Sequence, residues 1–454
     1  MIDLSFSPLL SAIKNHSEKT PVKIALIEGD QQVTYGQLWQ GIEQAADTLI
    51  QEGYVKGDRI ILQASKELDF VYRYFGAHLS GVVAVVLDPA STKERLAYIQ
   101  EIIKNKGSID SDTADVMFTT GTTGAPKGVC LSHANIAGSA ENINAFIGNT
   151  SGEVEVLGLP LSHSFGLGRL RCTLLKGATM VLVGNFANLK VFFNALEQYH
   201  ATGFGMVPAV WQYIRKFSGT RIGKFASQIK YIEIGSAAMP LEDKQLLMDL
   251  FPNTRICMHY GLTEASRSFF MEFHANKDNL QAIGVPPSPM IEAKVFDEYG
   301  HECGINEDGE ICVKGNMVIH SYYLAEDNQN AFFGDYFRTG DWGHRDSNGL
   351  YYLVSRKKEL INVGGKKISP ALIEDAIIAL GFDDCACISI PDPKGILGEV
   401  PKAFIQKGKC QLTFEEVKSK LSETLEPYEV PVVYEWIDRI PRTSSGKIQR
   451  LSLK

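Results

Sequence analysis

The order of apolar patterns predicts an α/β fold: a large N-terminal body of parallel-type sheets with helices, a small antiparallel sheet, then a small C-terminal α+β unit. Three observations carry this. Strand and helix patterns alternate over the first hundred residues and again after residue 150, the rhythm of a parallel sheet with helices on its faces. From about residue 284 short strands follow one another with frequent turns, as in a small antiparallel sheet. After SRKKE at 355–359 a last α/β unit begins.

Taken in order, 33–53 places apolar residues at helical spacing and stops at Gly53; 58–64 reads as a strand, 68–81 as a helix and VVAVVL as the next strand. TMVLVG, TGFGMV and KYIEIGS read as strands of the second half, and AKVFDEYG, GEICVKG and GLYYLVS as the antiparallel sheet. The last unit reads helix 370–380, strands CACISI and PKAFIQK, helix 413–425 and a strand near 432–437.

Composition bounds the function. The 454 residues are 44% hydrophobic and 22% charged, an ordinary globular mix that excludes a disordered or collagen-like chain. A net charge of −8 gives no global attraction to nucleic acid or anionic membrane. The N-terminus lacks a signal-peptide pattern and the longest strongly apolar run, near 81–87, is too short to span a bilayer, so a cytoplasmic protein without membrane insertion is expected. Eight cysteines are scattered, and the one close pair, Cys385 and Cys387, has no second cluster beside it, which fits reduced thiols better than zinc.

The densest chemistry lies at 118–128, FTTGTTGAPKG, with three glycines, four threonines and one lysine in one string. Glycines let a backbone approach a ligand closely; amide and hydroxyl donors with Lys127 then suit a polyphosphate. The spacing is not that of a Walker A loop: Pro126 precedes the lysine and no Ser or Thr follows it.

This string resembles the phosphate-binding loop of the adenylate-forming superfamily, which includes acyl-CoA synthetases, non-ribosomal adenylation domains and luciferases. LPLSHSFGLG (159–168), IGSAAMP (234–240), YGLTE (260–264), GEICVKG (309–315), YFRTGDWG (336–343), SRKKELINVGGKKISP (355–370) and PRTSSGKIQR (441–450) resemble its other motifs, in its order, from about residue 20 onward.

The resemblance, to the AMP-dependent acyl-CoA synthetase/ligase branch, implies activation of a carboxylic acid by ATP and Mg²⁺ to acyl-AMP, then transfer to a thiol. It implies a body over 1–356 and a mobile lid over 357–454 hinged near Lys358. Thr119, Thr120, Gly121, Thr122, Thr123, Gly124 and Lys127 would hold phosphates. Glu264 would be the Mg²⁺ carboxylate, which suits an ion that keeps most of its waters; Thr263 would face the α-phosphate. Ala237, Ala238, His259, Tyr260 and Gly261 would form the adenine slot. Asp341, whose carboxylate suits a vicinal diol, and Arg356 would meet the ribose. Lys447 would stabilise charge in the adenylation transition state. Gly364 and Gly365 would line the pantetheine tunnel. His163 would lie near the acyl carboxylate.

Ser355 and Asn362 depart from the family's usual residues at the lid boundary. Gly166 follows Phe165 where amino-acid adenylating members carry Asp, which disfavours an α-amino acid. Arg267 is open between a substrate contact and an ion pair. The acid, fatty or aryl, is open too. The acceptor thiol comes in trans, free CoA by default and a carrier protein as the rival; a non-catalytic nucleotide-binding relative is the rival of another class. A homodimer is left open. The stretch 88–118 is brief for the family, as though a strand–helix unit were trimmed.

Overall fold

The segment Val83–Leu87 is buried at every position, which a strand tolerates only when both faces of its sheet are covered. It lies second in a four-stranded sheet ordered Arg59–Gln63, Val83–Leu87, Thr113–Phe118 and Gly128–Ser132. The first three strands run parallel and the last pairs antiparallel with the third. The computed structural model describes residues 4–64, 67–105, 109–119, 126–357, 359–364, 366–406, 408, 410–442 and 447–453. Thr120, Gly121, Thr122, Thr123, Gly124, Lys358 and Gly365 lie outside the described residues.

In the brief stretch 88–118 a single helix, Lys93–Asn105, joins two strands that are direct neighbours, with Ala84 opposite Asp115. No strand stands between them in the sheet order.

A second sheet, of eight strands among the described residues, is ordered Phe269–Glu272, Arg255–Tyr260, Tyr231–Ile234, Gly203–Met206, Val154–Leu157, Thr179–Leu182, Ile24–Glu28 and Gln31–Thr34. Its inner strands are parallel and each edge strand is antiparallel to its neighbour. Helix starts follow local chemistry. Thr34 with Gln37 and Ser132 with Asn135 form reciprocal caps on Tyr35–Gln51 and His133–Ile147, each cap stabilising by about 1 kcal/mol. Gly148, at φ 85°, ends the second of these helices in the left-handed region glycine tolerates.

The chain divides into two compact units, Met1–Ala293 with Val313–Phe337, and Lys294–Cys312 with Arg338–Lys454. The expected small sheet is present, ordered Ile291–Phe296, Gly309–Gly315, Tyr336–Arg345 and Phe332–Phe333, with Tyr351–Arg356 also paired to Tyr336–Arg345. The unit boundary falls within its strands. The C-terminal part packs helices Pro370–Ala379 and Phe414–Leu421 with a sheet of Cys385–Pro391, Glu399–Gln406 and Val433–Ile437. Ile373, Ile377, Val417, Leu421, Cys387 and Ile405 share its core. The second helix ends before the expected 425: the Ser422 hydroxyl turns back to the Lys418 carbonyl and single turns follow. Among the described residues no helix is long and apolar enough to cross a membrane.

Candidate active site

In the first unit, Ala237, Ala238, His259, Tyr260 and Gly261 lie at the carboxyl ends of two neighbouring parallel strands, where open α/β sheets bind ligands. Tyr231–Ile234 leads into Gly235, Ser236, Ala237 and Ala238; the neighbouring Arg255–Tyr260 ends in His259 and Tyr260 and leads into Gly261. Ala237 is half-buried and Ala238 exposed. Gly235 must be glycine, since a Cβ there would stand 2.1 Å from the His259 ring. Ser236 takes φ 74° to turn the chain out of the strand. The Tyr260 ring lies 5.6 Å from that of Phe269 on the paired strand.

At His259 these strand ends meet a charge cluster that the sequence does not announce. Arg169 meets Glu155 at 2.5 and 2.8 Å and Glu233 at 3.0 Å, all buried. Glu233 also takes Arg267 Nε at 3.2 Å and stands 2.7 Å from His259 Nδ1. Burial opposes ionisation of Glu233, but Arg267 and Arg169 outweigh it and hold the carboxyl well below the usual range. Burial pushes the His259 imidazole down despite Glu233, so it is neutral near pH 7. Arg267 is thereby committed to structure: its other nitrogens donate to the Ser164 and Phe165 carbonyls at 2.9 and 3.0 Å. Of its two readings the ion pair is the one realised.

The string expected to hold phosphates lies between Thr113–Phe118 and Gly128–Ser132, which pair antiparallel. Its mouth is pinned where Thr119 N donates to Lys127 O at 3.0 Å and Lys127 N to Thr119 Oγ1 at 3.1 Å. Arg95 donates to the Phe118 and Thr119 carbonyls at 3.2 and 3.1 Å. Lys127 Nζ lies 3.3 Å from Asp327 and 4.7 Å from the Tyr322 ring centre. The Tyr322 hydroxyl donates to Glu264 Oε1 at 2.8 Å. The phosphate-loop lysine and the expected metal carboxylate thus share one tyrosine. Glu264 is buried, its carbonyl held by Ile319 N at 3.0 Å; Thr263 beside it is half-buried. One carboxylate braced by a neutral hydroxyl fits Mg²⁺, which draws its remaining ligands from waters and phosphates.

His163 precedes helix Ser164–Lys176, with Nε2 3.4 Å from Asp88 Oδ2, and Ser162 Oγ donates to the same oxygen at 3.3 Å. Asp88 follows Val83–Leu87 directly. A polar residue at the end of a buried parallel strand was the signal that could have found it. Gly166 is obligatory, because a Cβ would stand 2.3 Å from the Pro160 carbonyl oxygen.

The second unit holds the remaining predicted residues. Asp341 and Arg356 face each other on paired strands, Arg356 Nε 2.6 Å from Asp341 Oδ1. Buried Glu310 sits behind them, accepting from Arg338 at 2.7 Å, Lys357 Nζ at 3.1 Å and Gly340 N at 3.2 Å. Burial opposes its ionisation, but Arg338 and Lys357 prevail and keep the carboxyl below the usual range. Gly364 takes φ 58° and donates to the Leu397 carbonyl at 2.9 Å. Lys447 is exposed, next to Ile448, which bridges to Arg442.

The chain is similar to known proteins over most of its length. The chain is 28% identical to a 2-succinylbenzoate–CoA ligase of Bacillus velezensis, over 96% of this chain and 95% of that protein. It is 33% identical to a long-chain-fatty-acid–CoA ligase of Bacillus subtilis, over 76% of this chain and 62% of that protein. The structure of O-succinylbenzoate Coenzyme A synthetase from Bacillus subtilis, in complex with ATP and magnesium ion, superposes with a TM-score of 0.87 at 26% identity, over 97% of this chain and 98% of that one. Residues 13–109 and 103–323 match the AMP-binding enzyme family, and 372–447 match the AMP-binding enzyme C-terminal domain. The chain belongs to the AMP-binding enzyme family.

Proposed function

We propose that this protein is an AMP-forming acid–CoA ligase. It activates a carboxylic acid with ATP to acyl-AMP, releasing pyrophosphate, and passes the acyl group to the thiol of CoA, in the cytoplasm. The observation that carries the reading is the join of Lys127 and Glu264 through Tyr322, beside a family match across most of the chain.

The first step brings two anions together. Lys127 and the Thr119–Gly124 loop draw the phosphates, and Thr263 faces the α-phosphate. Glu264 would hold Mg²⁺, which supplies charge neutralisation to the phosphates when bound. Asp341 accepts from both ribose hydroxyls, and Arg356, paired with Asp341, also reaches the ribose. The alanines at 237 and 238 leave room for a flat base, and Tyr260 covers it. His163, whose Nε2 faces Asp88, lies near the acyl carboxylate. Lys447 meets charge that builds only in the transition state, so it acts on rate more than on binding. The lid over 357–454 turns about Lys358 between steps, and Gly364 and Gly365 admit the pantetheine arm.

The acid is fatty or aryl; relatives of both kinds support that range. The test is exchange of ³²P-pyrophosphate into ATP across a panel of fatty, aryl, dicarboxylic and amino acids. Exchange with one acid class is expected, and no exchange with any acid would overturn the reading. Mass spectrometry of the product with CoA, or with carrier proteins, reads the acceptor; light scattering reads whether the chain pairs as a homodimer.

A further inference from the structure

The second unit contains a partly buried ion cluster to which the reaction above assigns no part. Arg450 Nε lies 3.0 Å from Glu359 Oε2, and Nη2 3.2 Å from Glu374 Oε2. Nη1 donates to Glu374 Oε1 and, at 3.0 Å, to the Cys387 carbonyl. The Glu374 carboxylate also accepts from Cys387 N at 2.6 Å. The arginine side chain is 17% exposed and that of Glu374 9%. Burial opposes the charge of Arg450, but Glu374 and Glu359 more than restore it.

One guanidinium therefore ties together three places: the residue after Lys358, the helix Pro370–Ala379 and the strand Cys385–Pro391. Lys447 stands three residues before it. Between them, Ile448 packs against the cluster of Ala386, Ile388, Phe404, Ile440 and Leu453, and Gln449 N donates to Pro441 O at 2.9 Å. Burying charge here is a poor way to gain stability, since apolar side chains of similar volume commonly do as well or better. What a forked arginine adds is direction, because its paired donors fix angle as well as distance.

We propose that Arg450 is a positioning residue for Lys447. It locks the lysine-bearing segment to Glu359 and Glu374, so that movement about Lys358 carries Lys447 as part of one rigid piece. The proposal rests on the role given to Lys447 above.

The test uses the full chain, with the panel acid that exchanges fastest and its synthetic acyl-adenylate. Adenylation is read by pyrophosphate exchange, and thioester formation by CoA consumption from the acyl-adenylate. Arg450→Met should lower adenylation roughly 100-fold, the scale of a misplaced catalytic group, and leave thioester formation within about twofold. Arg450→Lys keeps charge but not the fork and should fall between. Should Arg450→Met fail to fold, Glu359→Gln carries the same asymmetry at smaller size. Equal losses in both half-reactions, or a loss in neither, overturn the proposal. Lys447→Ala separates it from the parent reading. If that variant loses adenylation while Arg450→Met does not, only the arginine's role falls; if Lys447→Ala keeps adenylation, the lysine's role falls first and this one with it.

Discussion

The Tyr322 hydroxyl donates to Glu264 Oε1 across 2.8 Å, while the same ring stands under the Lys127 ammonium. The tyrosine is itself fixed, its N bonded to Asn328 Oδ1 at 2.8 Å and its backbone bridged to Val129. Hydrogen bonds to charged groups contribute about 1.5–3 kcal/mol. Tyr322→Phe should therefore raise the Mg²⁺ concentration for half-maximal pyrophosphate exchange by about tenfold. Stability should also fall by about 1–3 kcal/mol, because a buried carboxylate oxygen loses its donor while the ring remains. An unchanged Mg²⁺ titration would remove Tyr322 from the site.

Asp341→Asn tests the ribose assignment. The variant keeps its volume but loses one acceptor and its pairing with Arg356. The KM for ATP should rise about tenfold or more. The Arg356 side chain is 44% exposed, so solvent screens the pair and the stability loss should stay near ~1 kcal/mol. A KM unchanged within twofold would argue that the ribose sits elsewhere.

Gly235→Ala puts a methyl group into the His259 ring. Something must shift, and the residues proposed for the adenine slot lie on the same two strand ends. ATP binding, read by calorimetry, should weaken by an order of magnitude while the fold persists. Wild-type affinity in this variant would show that the slot does not depend on this contact.

The charge cluster around Arg169 is a stability element. Arg169→Leu strands Glu155 and Glu233 without a shared cation, a change that typically costs about 3–5 kcal/mol. Urea unfolding should show a midpoint far lower than for any surface substitution, and a small shift would mean that water replaces the arginine.

His133 sets a pH dependence. Burial, aided by nearby His78, pushes its imidazole down to about 3 from the usual 6.5. Between those values the unfolded chain takes up a proton that the folded chain refuses. Its contribution is whole above pH 6.5 and is lost as pH falls toward 3, on the order of a few kcal/mol in total. The ring packs on Phe6 and His78, and its Nδ1 has no hydrogen-bond partner among the described residues. His133→Phe should thus keep stability at pH 7.5 and show an acid slope shallower by about one proton. An identical slope would place the proton elsewhere.

What was legible in the sequence was whatever is contiguous. GTTG, YGLTE and RTGDWG each put several groups of one site in one string, and strand–turn–helix rhythm placed most elements within a few residues. Contacts between distant residues were not legible. Tyr322 acquires meaning only from Glu264, 58 positions away, and Asp88 from Ser162, 74 positions away. Glu233 is a further case. It is an acid inside a buried strand, and the two arginines that neutralise it come from distant positions, 169 and 267.

The boundary that runs through the small sheet also bears on how this protein is made. Residues 294–312 belong to a unit whose remainder begins at 338. Buried Glu310 meets its partners Arg338, Gly340 and Lys357 only after that later stretch has left the ribosome. During vectorial synthesis Gly309–Gly315 has its earlier neighbour Ile291–Phe296, but its other edge stays open and its buried-type acid has no cation to meet it. Until Lys357 has cleared the ribosome that acid stays exposed. A pause that holds the chain in this state should lower the soluble yield of this enzyme more than the same pause placed at the last codons of the chain.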